Sequence, residues 1–201
     1  MGERPTGPAG GSSGARSGSP EPVVDVGDQV GDERGVVGPP ARERAVVDFF
    51  GDERAGLPVW LSINLSPVQL TADGLADHFA RMAAEEGVDP GNLKLEITES
   101  ALAQDFGDVV RCLEAFKGYG FKISLDDFGT GFSSLARVAR LPFDNLKIDR
   151  GFVSDFPQGP GRAVVSAIAD LSANLGMTPI AEGVETAIQE NGLREESISL
   201  A

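Results

Sequence analysis

From Leu57 onward the chain repeats one unit: a short apolar run that stops at a polar residue, followed by a stretch with helical periodicity. The runs are Val59–Ile63 before Asn64, Leu93–Leu95 before Glu96, Phe121–Leu125 before Asp126, Asn145-Leu146 before Lys147, and Thr178–Ala181 before Glu182. Short apolar runs bounded by turn residues suit parallel strands covered on both faces. The five polar stops lie 32, 30, 21 and 35 residues apart. Roughly 30 residues per strand–helix unit is the spacing of an α/β TIM-type (β/α)8 barrel, whose roughly 250 residues divide into eight units. Only about five units are present, so the barrel is expected to be incomplete. A doubly wound sheet is the competing architecture, and it would place a Gly-rich phosphate loop after its first strand. No such loop occurs.

The intervening segments carry helical stripes. Leu70, Leu75, Phe79 and Met82 share one face of the first, and Val109, Val110, Leu113 and Phe116 line the second, with Gly118 and Gly120 as its stop. Val164, Val165, Ile168, Leu171 and Leu175 line the last, closed by Gly176. Ser133–Leu141 is short for a crossover helix and is limited by Pro142. Upstream the texture differs: thirteen of the first twenty residues are Gly, Pro or Ser, too few apolar groups to offset chain entropy. Residues 1–45 read as a disordered or non-native leader, 46–56 as a transition, 57–189 as the partial barrel, and 190–201 as a divergent tail.

A net charge of −14 argues against DNA, RNA or an anionic membrane as partner, since each calls for a basic stripe. Carboxylates that hold divalent metal can still receive a phosphate ligand, because the ion's charge reverses the local logic. One cysteine, Cys112, excludes a disulfide framework, and its helical setting suits a buried filler. The single histidine, His78, lies in an amphipathic stretch with nothing nearby to build a triad or an imidazole metal site. No run reaches the roughly 20 apolar residues of a membrane span, and a cytoplasmic protein is the default expectation.

In a TIM barrel the C-terminal strand ends converge on one mouth. Here those ends bear Asn64, Glu96, Asp126 with Asp127, Lys147 and Glu182. Oxygen ligands without His or Cys suit Mg²⁺, Mn²⁺ or Ca²⁺, and four acids at one mouth repel unless protonated or metallated. Paired cations bridged by carboxylate suit in-line displacement at phosphorus. Taken singly, each acid is explained as a helix N-cap or a solvated turn residue. A different metal-dependent barrel enzyme, with Lys147 as a base in the manner of an enolase, also fits the residues.

The order of motifs carries a resemblance. Ser62-Ile63-Asn64-Leu65-Ser66, Leu95-Glu96-Ile97-Thr98-Glu99-Ser100 and Leu125-Asp126-Asp127-Phe128-Gly129-Thr130-Gly131-Phe132-Ser133-Ser134-Leu135 resemble successive motifs of the EAL domain. So do Leu141-Pro142-Phe143, Leu146-Lys147-Ile148-Asp149-Arg150 and Ala181-Glu182-Gly183-Val184-Glu185-Thr186. The resemblance implies a bacterial signalling phosphodiesterase that hydrolyses cyclic di-GMP to linear pGpG with two Mg²⁺ or Mn²⁺ ions. It implies Asn64, Glu96 and Asp126 as ligands of the first metal, with Asp126 bridging and Asp127 and Glu182 helping to hold the second. Lys147 would orient or help activate the attacking water, with Glu182 and Asp127 beside it. Phe128, Gly129, Thr130 and Gly131 would belong to a loop that couples substrate and metal to a homodimer interface, and Glu99 would steady that loop.

The sequence also departs from the family pattern. No Glu-Ala-Leu occurs ahead of Asn64, and the one Glu-Ala pair, Glu114-Ala115, continues as Phe116 inside a helical stripe. After Gln189 no Gln-Gly-Tyr-like signature follows. The expectation is therefore an EAL domain truncated at both ends, with weak or no turnover. The alternatives are a catalytically inactive nucleotide- or partner-binding domain and a fragment of a longer phosphodiesterase.

Overall fold

The computed structural model describes residues 23–25, 60–103, 105–129 and 134–200. Seven strands form one sheet in chain order: β1 (Val23–Asp25), β2 (Trp60–Asn64), β3 (Leu93–Thr98), β4 (Lys122–Phe128), β5 (Asn145–Ile148), β6 (Thr178–Ala181) and β7 (Ser199–Leu200). Every neighbouring pair is parallel. A doubly wound sheet reverses its strand order at a switch point; this one never does. The winding is that of a TIM-type barrel, and the arc is incomplete, since β1 and β7 do not pair with each other among the described residues.

Two of the seven strands go beyond the five expected. Val23–Asp25 lies within the segment read as leader and pairs with Trp60–Ser62; the remainder of 1–45, and the transition at 46–56, lie outside the described residues. The segment read as a divergent tail differs more. Helix α7 (Ala187–Glu195) runs through it, and Ser199–Leu200 joins β6 in register as Ile180↔Ser199 and Ala181↔Leu200. Leu193 and Ile198, both buried, supply the apolar contacts that hold it.

Helices cover the outer face. They are α1 (Pro67–Leu70), α2 (Leu75–Glu85), α3 (Phe106–Tyr119), α4 (Leu135–Val138), α5 (Arg150–Ser154), α6 (Gly159–Leu175) and α7. The first stripe is split: Gly74, at φ +72°, separates Leu70 on α1 from Phe79 on α2. Asp105 caps α3, its carboxylate accepting from the amides of Gly107 at 2.9 Å and Asp108 at 3.2 Å. Phe79, Phe116 and Phe121 meet edge-to-face with centroids 5.2 to 6.5 Å apart, locking α2 and α3 to the start of β4.

Register and pleat together sort the strand residues onto two faces. Leu61, Ile63, Leu93, Leu95, Ile97, Ile123, Leu125, Leu146 and Ile148 fall on one face and are all buried. The alternate positions, Ser62, Asn64, Lys94, Glu96, Ser124, Asp126, Asn145 and Lys147, fall on the other. The strands are thus alternating rather than apolar throughout, with the polar row lining the concave side of the arc. One irregularity breaks the pattern. Between Leu125↔Leu146 and Phe128↔Ile148, β4 advances one residue more than β5, a bulge that carries Asp126 and Asp127.

Candidate active site

The C-terminal ends of β3, β4, β5 and β6 deliver their polar residues to one point. The Nζ of Lys147 lies 2.5 Å from Glu182 Oε1, 2.9 Å from Glu96 Oε2 and 3.2 Å from Asp126 Oδ1. Lys147 and Glu96 are buried, while Asp126 and Glu182 are half-buried at the rim. Asn64 sits beside them: it pairs with Glu96 in register and is half-buried. Of the six residues read as metal ligands or as the activating lysine, these five, on β2 to β5 and just past β6, are therefore brought to one end of the sheet.

Asp127 is placed there by the bulge. Its φ of +55° lies in the left-handed region, which Asp tolerates better than most side chains because its short polar group bonds locally. Here the Asp127 amide donates to Asp126 Oδ1 at 2.9 Å. The turn that follows is held from the 3-10 turn just past β3: the Gly129 amide donates to Glu99 Oε2 at 3.0 Å, and Glu99 is buried. Phe128 is buried beneath it. Thr130 and Gly131 lie outside the described residues.

The electrostatics follow from crowding. Burial alone would depress the Lys147 ammonium, but the charge of Glu96, its hydrogen bonds to Glu182 and Glu96, and the charge of Asp126 raise it well above its ordinary value. Burial raises the Glu182 carboxyl; Lys147 pulls it down, and Asp126 and Glu96 push it up again. Asp127 is raised by desolvation first, then by Asp126 and Asp149, against Lys147. In this arrangement the three carboxylates favour the ammonium form of Lys147.

Among the described residues, no three or more His, Cys, Asp and Glu side chains stand together as a ready-made metal cage. Glu96, Asp126 and Glu182 are instead drawn onto Lys147. The donor set still fits a hard divalent cation in kind. It is all oxygen, and one ammonium balances only a fraction of the charge on Glu96, Asp126, Asp127 and Glu182. Moving onto a metal requires these side chains to turn from Lys147.

A family model described as EAL domain matches residues 44–201. The chain belongs to the EAL-domain family. This EAL domain is 40% identical over 134 residues to MucR of Pseudomonas aeruginosa, a bifunctional diguanylate cyclase and cyclic di-GMP phosphodiesterase, covering 66% of this chain and 20% of that protein. Its fold matches a solved MucR phosphodiesterase in complex with cyclic di-GMP at TM-score 0.69 and 36% identity, covering 79% of this chain and 64% of the other. It also matches Klebsiella pneumoniae BlrP1 solved at pH 6 with manganese and cyclic di-GMP, at TM-score 0.68 and 28% identity, over 78% of this chain and 41% of that one. The EAL domain spans only 17 to 21% of the length of the curated relatives matched first. No helix among its described residues is long and apolar enough to cross a membrane.

Some residues that shape this site escaped the sequence reading. Gln189 is buried and accepts from the amides of Glu185 at 3.0 Å and Thr186 at 2.9 Å, while its Nε2 donates to the Val153 carbonyl at 3.0 Å. It ties the turn after Glu182 to α5. The spacing Thr186-x-x-Gln189 is a capping-box signature and could have located it. Ser62 and Ser124, on the concave face, are buried with hydroxyls that find no partner among the described residues; nothing in the sequence marks them.

Proposed function

We propose that this EAL domain binds cyclic di-GMP with Mg²⁺ or Mn²⁺ at the mouth built by Asn64, Glu96, Asp126, Asp127, Lys147 and Glu182, and hydrolyses one phosphodiester to give linear pGpG. The observation that carries the reading is the convergence of three strand-end carboxylates on one Lys147 ammonium. Asn64, Glu96, Asp126, Asp127 and Glu182 would hold the metal. A divalent ion bound there would polarise the phosphoryl oxygen and make water a better nucleophile.

The chain's own groups do the rest. Lys147 stays protonated, so it donates and cannot accept. It orients a water by its lone pair and offsets negative charge as that charge grows on phosphate oxygens. Proton removal falls to a carboxylate, and Glu182 or Asp127, both raised from the ordinary range, are the groups placed for it. Glu99 holds the Gly129 turn against β3, which fixes where Asp126 and Asp127 stand. A homodimer through the loop after Asp127 belongs to the same reading, and sedimentation velocity with and without nucleotide checks it.

The test begins with binding. A thermal melt raised by cyclic di-GMP with Ca²⁺ supports a native-state site, because only a ligand of the folded form shifts the transition; no shift at saturating ligand overturns it. Chromatography of products with Mn²⁺ then reads turnover, with Asp126→Asn expected to abolish pGpG. Turnover unaffected by Asp126→Asn would refute the assignment. The same assay measures whether the rate is as weak as the missing Glu-Ala-Leu motif leads one to expect.

A further inference from the structure

Helix α5 follows Lys147 by two residues and is fixed at its start by Asp149, whose carboxylate accepts from the Gly151 amide at 2.9 Å. Both flanking turns close on it. Gly129, at φ +95° after β4, leaves the space of a side chain that the Phe152 ring fills: a Cβ there would lie 2.9 Å from Phe152 Cε2. Gly183, at φ +66° after β6, approaches the same helix so closely that a Cβ would lie 2.7 Å from Arg150 Cβ. From behind, Gly161 on α6 meets the Phe152 carbonyl, where a Cβ would come within 2.7 Å.

We infer that α5 is a positioning wedge, with Phe152 as its working residue. Its ring pins Gly129 against Glu99 and so sets the separation between the Asp126–Asp127 bulge and Lys147. Gly129 lies two residues past Asp127 and Gly183 one past Glu182, so displacing the wedge moves carboxylates on both sides of the lysine. Phe152 acts through Gly129, and the naming of a metal as what is misplaced rests on the function proposed above.

Amide exchange tests the wedge directly on the full chain, without metal or nucleotide. Phe152→Ala is expected to speed exchange at the Gly129 amide about tenfold more than at Leu125 and Leu146 in the core, because the opening is local. Phe152→Leu, which keeps most of the bulk, is expected to retain the protection. Equal acceleration at Gly129 and the core amides would reduce Phe152 to general packing and overturn the inference, as would an unchanged Gly129. Titration with Mn²⁺ alone, followed by the resonance signal of the free ion, gives the second readout. Affinity is expected to fall about tenfold in Phe152→Ala, the lower end for residues that support metal ligands, and to recover in Phe152→Leu. If the parent chain takes up no Mn²⁺, the proposed function fails while the exchange result still decides the wedge.

Discussion

Replacing Lys147 with methionine removes the ammonium that pairs with Glu96, Asp126 and Glu182 while leaving the volume nearly unchanged. The side chains of Lys147 and Glu96 are only 10% and 5% exposed, Asp126 is 15% and Glu182 30% exposed. Deleting one partner of a buried ionic cluster costs about 3–5 kcal/mol because it leaves charge without compensation; the rim exposure of Glu182 places the expectation at the lower end, about 3 kcal/mol at pH 8. The sign of the pH dependence follows from proton uptake. The Glu182 carboxyl is raised by burial, and Lys147 is what pulls it down; without Lys147 it titrates further above its unfolded value near 4, so the folded variant holds more protons than the unfolded chain across that window. Its stability is then greatest at low pH and is lost as pH rises through the folded values. The parent behaves differently. Lys147 itself is raised above its ordinary value, so its stabilisation is complete below about 10.5 and fades only as pH rises beyond that. The deficit of Lys147→Met should therefore be large at pH 8 and shrink towards pH 4.5, as read by urea melts followed by circular dichroism. Added Mg²⁺ or Mn²⁺ should restore part of it at pH 8. A deficit below about 1 kcal/mol, or one equal at both pH values, would refute the picture of an ammonium neutralising a carboxylate cluster.

Three further outcomes follow from other parts of the molecule. Burial pushes the Cys112 thiol up to about 11, so alkylation at pH 8 should be about 10²-fold slower than for a free thiol, and a rate equal to that of the unfolded chain would contradict its packing. Asp144 accepts from Lys117 Nζ at 2.7 Å and from the Ile123 amide at 2.9 Å; Asp144→Ala should cost about 1–3 kcal/mol in a urea melt, and no change would mean solvent already satisfies those donors. Gly120 ends α3 at φ +95° with none of the described residues near its missing side chain, so Gly120→Ala should destabilise by about 1 kcal/mol through backbone strain, measurable as a lowered melting temperature without altered ligand response.

Much of this was readable before any coordinates. Asn64 stands at the end of β2, Glu182 just past β6 and Lys147 one residue short of the end of β5, as the polar stops suggest, whereas β3 and β4 run on past Glu96 to Thr98 and past Asp126 to Phe128. What escaped was of three kinds. Strands β1 and β7, of three and two residues, are too short for a period to register, and only pairing defines them. Helix α5 spans five residues, less than two turns, so it leaves no stripe. The contacts of Phe152 with Gly129 and of Gln189 with Val153 join residues from separate units, and local pattern carries no record of which turn leans on which helix. The concave polar row was visible as alternation in Leu93-Lys94-Leu95-Glu96-Ile97-Thr98, yet the strands were read as apolar runs because their hydrophobic members dominate.

The bulge in β4 bears on how such a site can change. In an unbroken strand, adjacent residues point to opposite sides, so a second acid placed directly after Asp126 would be sent into the helix layer. The additional residue lets two neighbours in sequence serve the same mouth. Deleting Asp127 would remove the carboxylate and the irregularity together: β4 would run in step with β5 from Leu125↔Leu146 to Phe128↔Ile148, leaving Asp126 as the one acid this strand end gives the mouth. An engineer grafting a paired-acid strand end onto another barrel would have to carry the odd residue along with the acids, since the pair and its irregular spacing form a single heritable unit.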